Sequence, residues 1–173
     1  MLFNEKLDYD SAIHNFNKAL KLKPDFAEAH KNKAFALMNQ NRLWTAMDSL
    51  KKAIEINPSF SEAYLLMGTI QYNTFQYTKG LESLQKAVNL NPGVDGPHFV
   101  MSRIYHSLNE PEAALICCDK ALRLNKKNRD ARAQRVISSL AICNWSNDLL
   151  EDVEYFLESM AVGLEPLTMT TIF

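Results

Sequence analysis

The side chains of this 173-residue chain that could carry chemistry are three cysteines, four histidines and one dense run of arginine and lysine. Three cysteines cannot all pair with one another, and Cys117 and Cys118 are sequence neighbours pointing about 100° apart if helical. With Cys143 they read as reduced thiols of a cytosolic protein, acting as small hydrophobes, since no Cys-x-x-Cys is present. His98 and His106 fall on nearby faces of one helix but lack further obvious ligands, so packing or surface roles outrank metal binding. There is no His-Glu-x-x-His, no Gly-rich loop followed by Lys-Ser or Lys-Thr, and no Gly-x-Ser-x-Gly. Acidic residues are scattered, and the expectation is a chain with no catalytic residues, no cofactor and no metal. Arg123, Lys126, Lys127, Arg129, Arg132 and Arg135 form the basic run. It reads as a solvated turn favouring the preceding helix's C-terminus, ahead of a docking patch for an acidic partner.

Composition bounds the remaining classes. Lys and Arg number 19 against 20 Asp and Glu, a net charge of -1, which argues against nucleic-acid binding through an overall field. An apolar fraction of 47% is enough for a sizeable core, and five Gly with six Pro leave too few turns for an all-β fold. No apolar run is long enough to span a membrane, and Met1 to Lys6 lack the build of a secretory signal, so the expected location is cytoplasmic.

The elements that position these residues are set by a 34-residue period: Pro24, Pro58 and Pro92 are evenly spaced. Small residues keep the same spacing, as Ala12, Ala46, Gly80 and Ala114, and as Ala19, Ala53, Ala87 and Ala121. Larger apolar columns are Phe16, Leu50, Leu84 and Cys118, then Ile13, Met47, Leu81 and Leu115, then Leu20, Ile54, Val88 and Leu122. Inside one copy, Leu43, Ala46, Met47, Leu50, Ala53 and Ile54 step by threes and fours, one face of a helix. The segment from about 26 to 40 is helical too, and Asp25 with Glu28 and Ser59 with Glu62 read as capping boxes. Each proline stops the preceding helix. The unit is helix, turn, helix, proline-marked turn. Small columns let paired helices approach, and Gly80 should cost about 1 kcal/mol of helix propensity there.

These residues resemble the tetratricopeptide repeat, with Ala34, Gly68 and Ser102 at that family's small first-helix position and the closing prolines in place. The resemblance implies an all-α fold, an α-solenoid of antiparallel helix pairs wound as a right-handed superhelix. The array covers residues 1–128: a clipped first repeat 1–26, then 27–60, 61–94 and 95–128. The fourth copy departs where Lys126 replaces proline.

Projecting the columns once more places Asp148 and Asp152 where small and large core residues belong. Residues 129–161 therefore read as a non-standard terminal helix pair, with Leu149, Leu150, Val153, Phe156, Leu157 and Met160 as its apolar face, and 162–173 as an apolar tail beginning a missing downstream region. Ile142-Cys143-Asn144-Trp145-Ser146-Asn147 is similar to the junction joining repeats to the catalytic part of O-linked N-acetylglucosaminyltransferase and SPINDLY-type glycosyltransferases, with Asn144 in place of the usual Asp. That resemblance implies a substrate-recruiting part of a protein O-glycosyltransferase whose catalytic lobes would lie beyond residue 173. Its alternative is a terminal helix pair in which Cys143 and Trp145 are core residues.

The family's phase puts first helices on the concave surface. The lining positions it implies are Lys31, Asn32, Phe35, Met38 and Asn39, then Leu65, Thr69, Tyr72 and Asn73, then Phe99, Arg103 and His106, with Glu28, Glu62, Leu66, Val100 and Ser107 beside them. The mixture of apolar anchors with Asn, Lys and Arg suits an extended peptide. The carboxylate clamp of chaperone-binding members is missing, because the matching places hold Lys31 but also Phe35, Leu66, Gly96 and Val100. An asparagine ladder would need Asn at Asn32, Leu66, Val100 and Gln134, and only Asn32 complies. The expected function is a non-catalytic scaffold binding a protein or peptide, without nucleic acid or membrane. A self-associating structural module is the further alternative.

Overall fold

A stripe of apolar residues at helical spacing forms a helix whose face has to be covered by a neighbour. The computed structural model describes such helices over residues 9–143 and 146–161. The second helices are α1 (Tyr9–Leu22), α3 (Leu43–Ile56), α5 (Tyr77–Leu90) and α7 (Pro111–Leu124), each starting 34 residues after the last. The first helices are α2 (Ala27–Asn39), α4 (Ser61–Asn73), α6 (Gly96–Ser107) and α8 (Arg129–Ala141), and α9 (Asn147–Ala161) follows. The chain is an all-α solenoid. Each helix packs on its sequence neighbours, and α2, α4, α6 and α8 also touch one another in series. Among the described residues no second helix touches another second helix. First helices therefore form the close-packed inner layer, and second helices splay outward.

Burial follows the columns. Ala46, Ala53, Ala87, Ala114, Ala121, Leu50, Leu84 and Cys118 are wholly buried. A close approach lies between α4 and α5. A Cβ on Gly68 would lie 2.6 Å from Leu84 Cγ, and one on Gly80 would lie 3.0 Å from Ile104 Cδ1. Gly80, expected as a propensity loss, thus fits a site where alanine would have to displace Ile104.

The turns repeat as strictly as the helices. Asn41, Phe75, Asn109 and Cys143 adopt left-handed backbone, φ 59°, 60°, 60° and 52°. After the first three, an amide reaches five residues back, Arg42 to Leu37, Gln76 to Gln71 and Glu110 to Tyr105, as a left-handed helix end requires. Asparagine tolerates this conformation; phenylalanine does so at a cost.

The expected capping boxes are corrected. Phe26 and Phe60 stand at the N-caps of α2 and α4, with no side-chain cap bond. The polar work falls one turn earlier. The side-chain oxygens of Asn57, Asn91 and Asn125 accept from the amides of Ser59, Gly93 and Lys127 at 3.1, 3.3 and 3.1 Å. These Asx turns hold the inter-unit bend in the fourth copy too, where Asn125 keeps the extended backbone (φ -141°, ψ 91°) without a proline after it.

Asp152 is the second correction. It stands in the Phe16–Leu50–Leu84–Cys118 column and, contrary to expectation, occupies that core place, fully buried. Arg132 Nη1 donates to Oδ1 at 2.7 Å, while Arg135 donates from Nε to Oδ2 at 2.6 Å and from Nη2 to Oδ1 at 2.8 Å. Arg135 Nη1 also reaches Asp119 at 3.3 Å. These carboxylates hold the Arg135 guanidinium pKa above its ordinary value, against the opposing effect of burial. Two of the six basic residues expected as a solvated turn are thus structural. Leu149 is buried in the Ile13–Met47 column. Asn144, Trp145, the side chains of Phe156 and Met160, residues 1–8 and the 162–173 segment lie outside the described residues.

Three substitutions test these packing and turn readings. Gly68→Ala should lower urea-unfolding free energy by about 1–3 kcal/mol, whereas Phe75→Asn should raise it by up to about 1 kcal/mol. Asp152→Ala leaves two guanidiniums partly buried without their carboxylate, which costs about 3–5 kcal/mol when a buried pair is broken. Because coupling runs between neighbours only, hydrogen exchange should speed up in α8 and α9 while α3 to α5 keep their protection.

Candidate functional site

The inner layer leaves one face of each first helix uncovered, and α2, α4 and α6 lay those faces side by side. Between α2 and α4 is a shallow cavity of about 390 Å³ lined by Lys31, Asn32, Phe35, Glu62, Leu65 and Leu66. Phe35 is 48% exposed, a large ring unpacked at the cavity edge. Lys31 Nζ crosses to Glu62 at 2.8 Å and lies 5.6 Å from the centre of the Phe60 ring. This ion pair ties the two helices together and occupies the lysine.

One helix further, a second group of the expected residues comes together. The Arg103 guanidinium carbon lies 4.6 Å from the Tyr72 ring centre and 5.9 Å from that of Phe99. The Tyr72 ring is itself 6.1 Å from that of Tyr77. Leu65, Tyr72 and Phe99 are half-buried, with inner atoms against Leu84, Val100 and Ile104. They pack on the core and keep part of their surface exposed on the inner face. Val100 is buried and offers the groove nothing.

The remaining candidates are less engaged. Thr69 Oγ1 donates to its own helix at Leu65 O, 2.9 Å, and Asn39 Nδ2 to Phe35 O, 2.8 Å. Met38 packs against the first core cluster. Asn73 and His106 are exposed near the ends of α4 and α6, and Asn32 is half-buried in the cavity wall. A Cβ on Gly96 would lie 3.1 Å from Leu65 Cδ2, so Leu65 crowds the position where a chaperone-type clamp would place a polar residue.

A second cleft, of about 300 Å³, lies between α7, α8 and α9 and is lined by Asp119, Leu122, Arg123, Lys126, Arg132, Arg135, Asp148 and Glu151. Two of its three arginines, Arg132 and Arg135, are already committed to Asp119 and Asp152, and Arg132 also donates to Lys126 O at 3.1 and 2.9 Å. Mixed charge and internal pairing leave it little to offer a ligand. Burial pushes the Cys117 thiol pKa up and that of Cys118 to about 11, which makes both poor nucleophiles. His98 is held below the ordinary histidine pKa by burial and by Lys120, and its buried Nδ1 has no hydrogen-bond partner. Among the described residues no group of three or more His, Cys, Asp or Glu could hold a metal, and no helix is long and apolar enough to cross a membrane.

Comparison with known proteins gives a consistent answer for the fold. Models described as tetratricopeptide repeat match residues 27–60, and 61–93 with 97–128, and one described as TPR repeat matches 2–41. No curated protein sequence matches the chain. Solved structures do. MamA is 20% identical, with 90% of this chain and 91% of that one covered at a TM-score of 0.76. A thermophilic TPR protein of Thermus thermophilus is 20% identical over 87% of this chain and 82% of its own, TM-score 0.72. YrrB, described as a TPR protein with an unusual peptide-binding site, is 23% identical over 84% and 73%, TM-score 0.68. At these identities the likeness is one of fold.

Proposed function

The chain belongs to the tetratricopeptide-repeat family, and from that premise we propose that it is a non-catalytic scaffold holding an extended segment of a partner protein in its concave groove. The observation that carries this reading is the exposed Phe35 ring beside a cavity, one helix away from the Tyr72–Arg103–Phe99 stack. A helix face with no stacking duty gains nothing from exposing rings, whereas aromatic and arginine side chains are the usual anchors of an interface. The peptide-binding site in YrrB's description shows that this fold can serve such a role, and lends the reading support.

A second reading starts from the likeness of residues 142–147 to a glycosyltransferase junction: the groove would recruit substrates for a protein O-glycosyltransferase whose lobes lie beyond residue 173. Genomic sequence past codon 173 decides it, an early stop or an unrelated domain removing the idea. Self-association is a third reading, favoured by Leu150, Val153 and Leu157 standing 56%, 39% and 60% exposed on α9. Light scattering that shows only monomer at all concentrations would remove it.

The groove reading is tested by Tyr72→Ala combined with Arg103→Ala. Loss of both anchors should cut partner recovery in a pull-down by more than about tenfold, with the helical circular-dichroism signal retained. Recovery unchanged from wild type would move the site elsewhere.

A further inference from the structure

The groove's two cations are not equivalent. Lys31 is neutralised by Glu62 at 2.8 Å. Arg103 has no carboxylate within 4 Å among the described residues, because the five ion pairs there all involve other cations. Its guanidinium carbon lies over the rings of Tyr72 and Phe99. An arginine placed over rings still carries five N–H donors, a rigid fork matched to a carboxylate. Charge complementarity therefore calls for an acidic group here, beside an apolar pocket at Phe35 and Leu65.

Resting on the groove reading above, we propose that this surface selects an extended peptide carrying an apolar side chain and an aspartate or glutamate side chain a few residues along it. The apolar group enters the cavity between α2 and α4, and the carboxylate takes both N–H donors of the Arg103 edge between α4 and α6. Adjacent helices lie about 8–10 Å apart, and Leu65 stands four residues, one helical turn, before Thr69, the 34-residue counterpart of Arg103. The resulting separation is about three to four residues of extended chain. The anchor is a side-chain carboxylate, since of the Asn and Lys residues that would clamp a chain terminus only Lys31 stands at a matching place, and it is paired with Glu62.

The test is selection of random dodecamers, displayed with the peptide C-terminus fused and hence without a free terminal carboxylate, on the full chain. Selected peptides should be enriched in Asp or Glu about three or four residues from Leu, Ile, Met or Phe, and Arg103→Gln should erase the acidic enrichment while keeping the apolar one. For one selected peptide followed by fluorescence anisotropy, changing its Asp to Asn should weaken binding at least about tenfold on the wild-type chain and less than about twofold on Arg103→Gln. Peptides that lose affinity with Phe35→Ser yet show no acidic preference would overturn this inference and leave the groove standing. An equal loss from Asp to Asn on both proteins would overturn it as well. Peptides indifferent to both Phe35→Ser and Tyr72→Ala would overturn the groove reading itself.

Discussion

The approach of Leu84 to Gly68 sets the terms for the rest of the molecule. Two helices can interlock only where one of them is bare at the contact, and here a single added methyl would come within 2.6 Å of the neighbour. That contact fixes the rotation of α4 against α5. The Ala46, Ala53, Ala87, Ala114 and Ala121 positions do the same for the other pairs. With rotation fixed, each pair must expose the same residual apolar face to the next, and a 34-residue unit stacks on its copy. The inner layer and the groove follow from that register. The groove residues are thus a by-product of packing: they are the positions the interlocking faces leave over.

The same constraint makes the stacking legible in sequence and leaves other features hidden. Small and large columns repeat because every interface is built alike, so their chemistry averages into a pattern. The turn columns repeat just as strictly. Asn57, Asn91 and Asn125 are three asparagines at one spacing, and Asn41 with Asn109 belong to a left-handed column. They are visible in the sequence, but prolines and acidic residues nearby offer an easier account of the same bends. Phe75 hides its column, since phenylalanine is not a residue one expects at positive φ.

Asp152 misleads for a deeper reason. A carboxylate in an apolar column looks like the end of the repeat, because burying an unpaired charge is prohibitive. The burial becomes tolerable only when Arg132 and Arg135, three residues apart on α8, both turn inward, and Asp119 and the Lys126 carbonyl take their spare donors. Three facts have to be held together: the column, the arginine spacing, and the facing helix. Polar substitution of a core column is invisible to hydrophobic periodicity. The pair of arginines at matching height is the signal that could have revealed it.

The candidate site is the least legible part, because each groove position differs from its counterpart one unit away. Phe35, Thr69 and Arg103 occupy one column; so do Lys31, Leu65 and Phe99. Sequence carries their identities but not their pairings, and the pairings decide the chemistry. Lys31 is flexible, heavily hydrated when free, and already bound to Glu62, so a ligand carboxylate would have to compete for it. Arg103 is held by two rings before any ligand arrives, so little side-chain freedom is lost on binding there. A cation that is both ordered and unpaired discriminates better than one that is neither. On the proposed groove reading, selectivity is therefore concentrated at α6, while the cavity between α2 and α4 contributes area with little preference among apolar side chains.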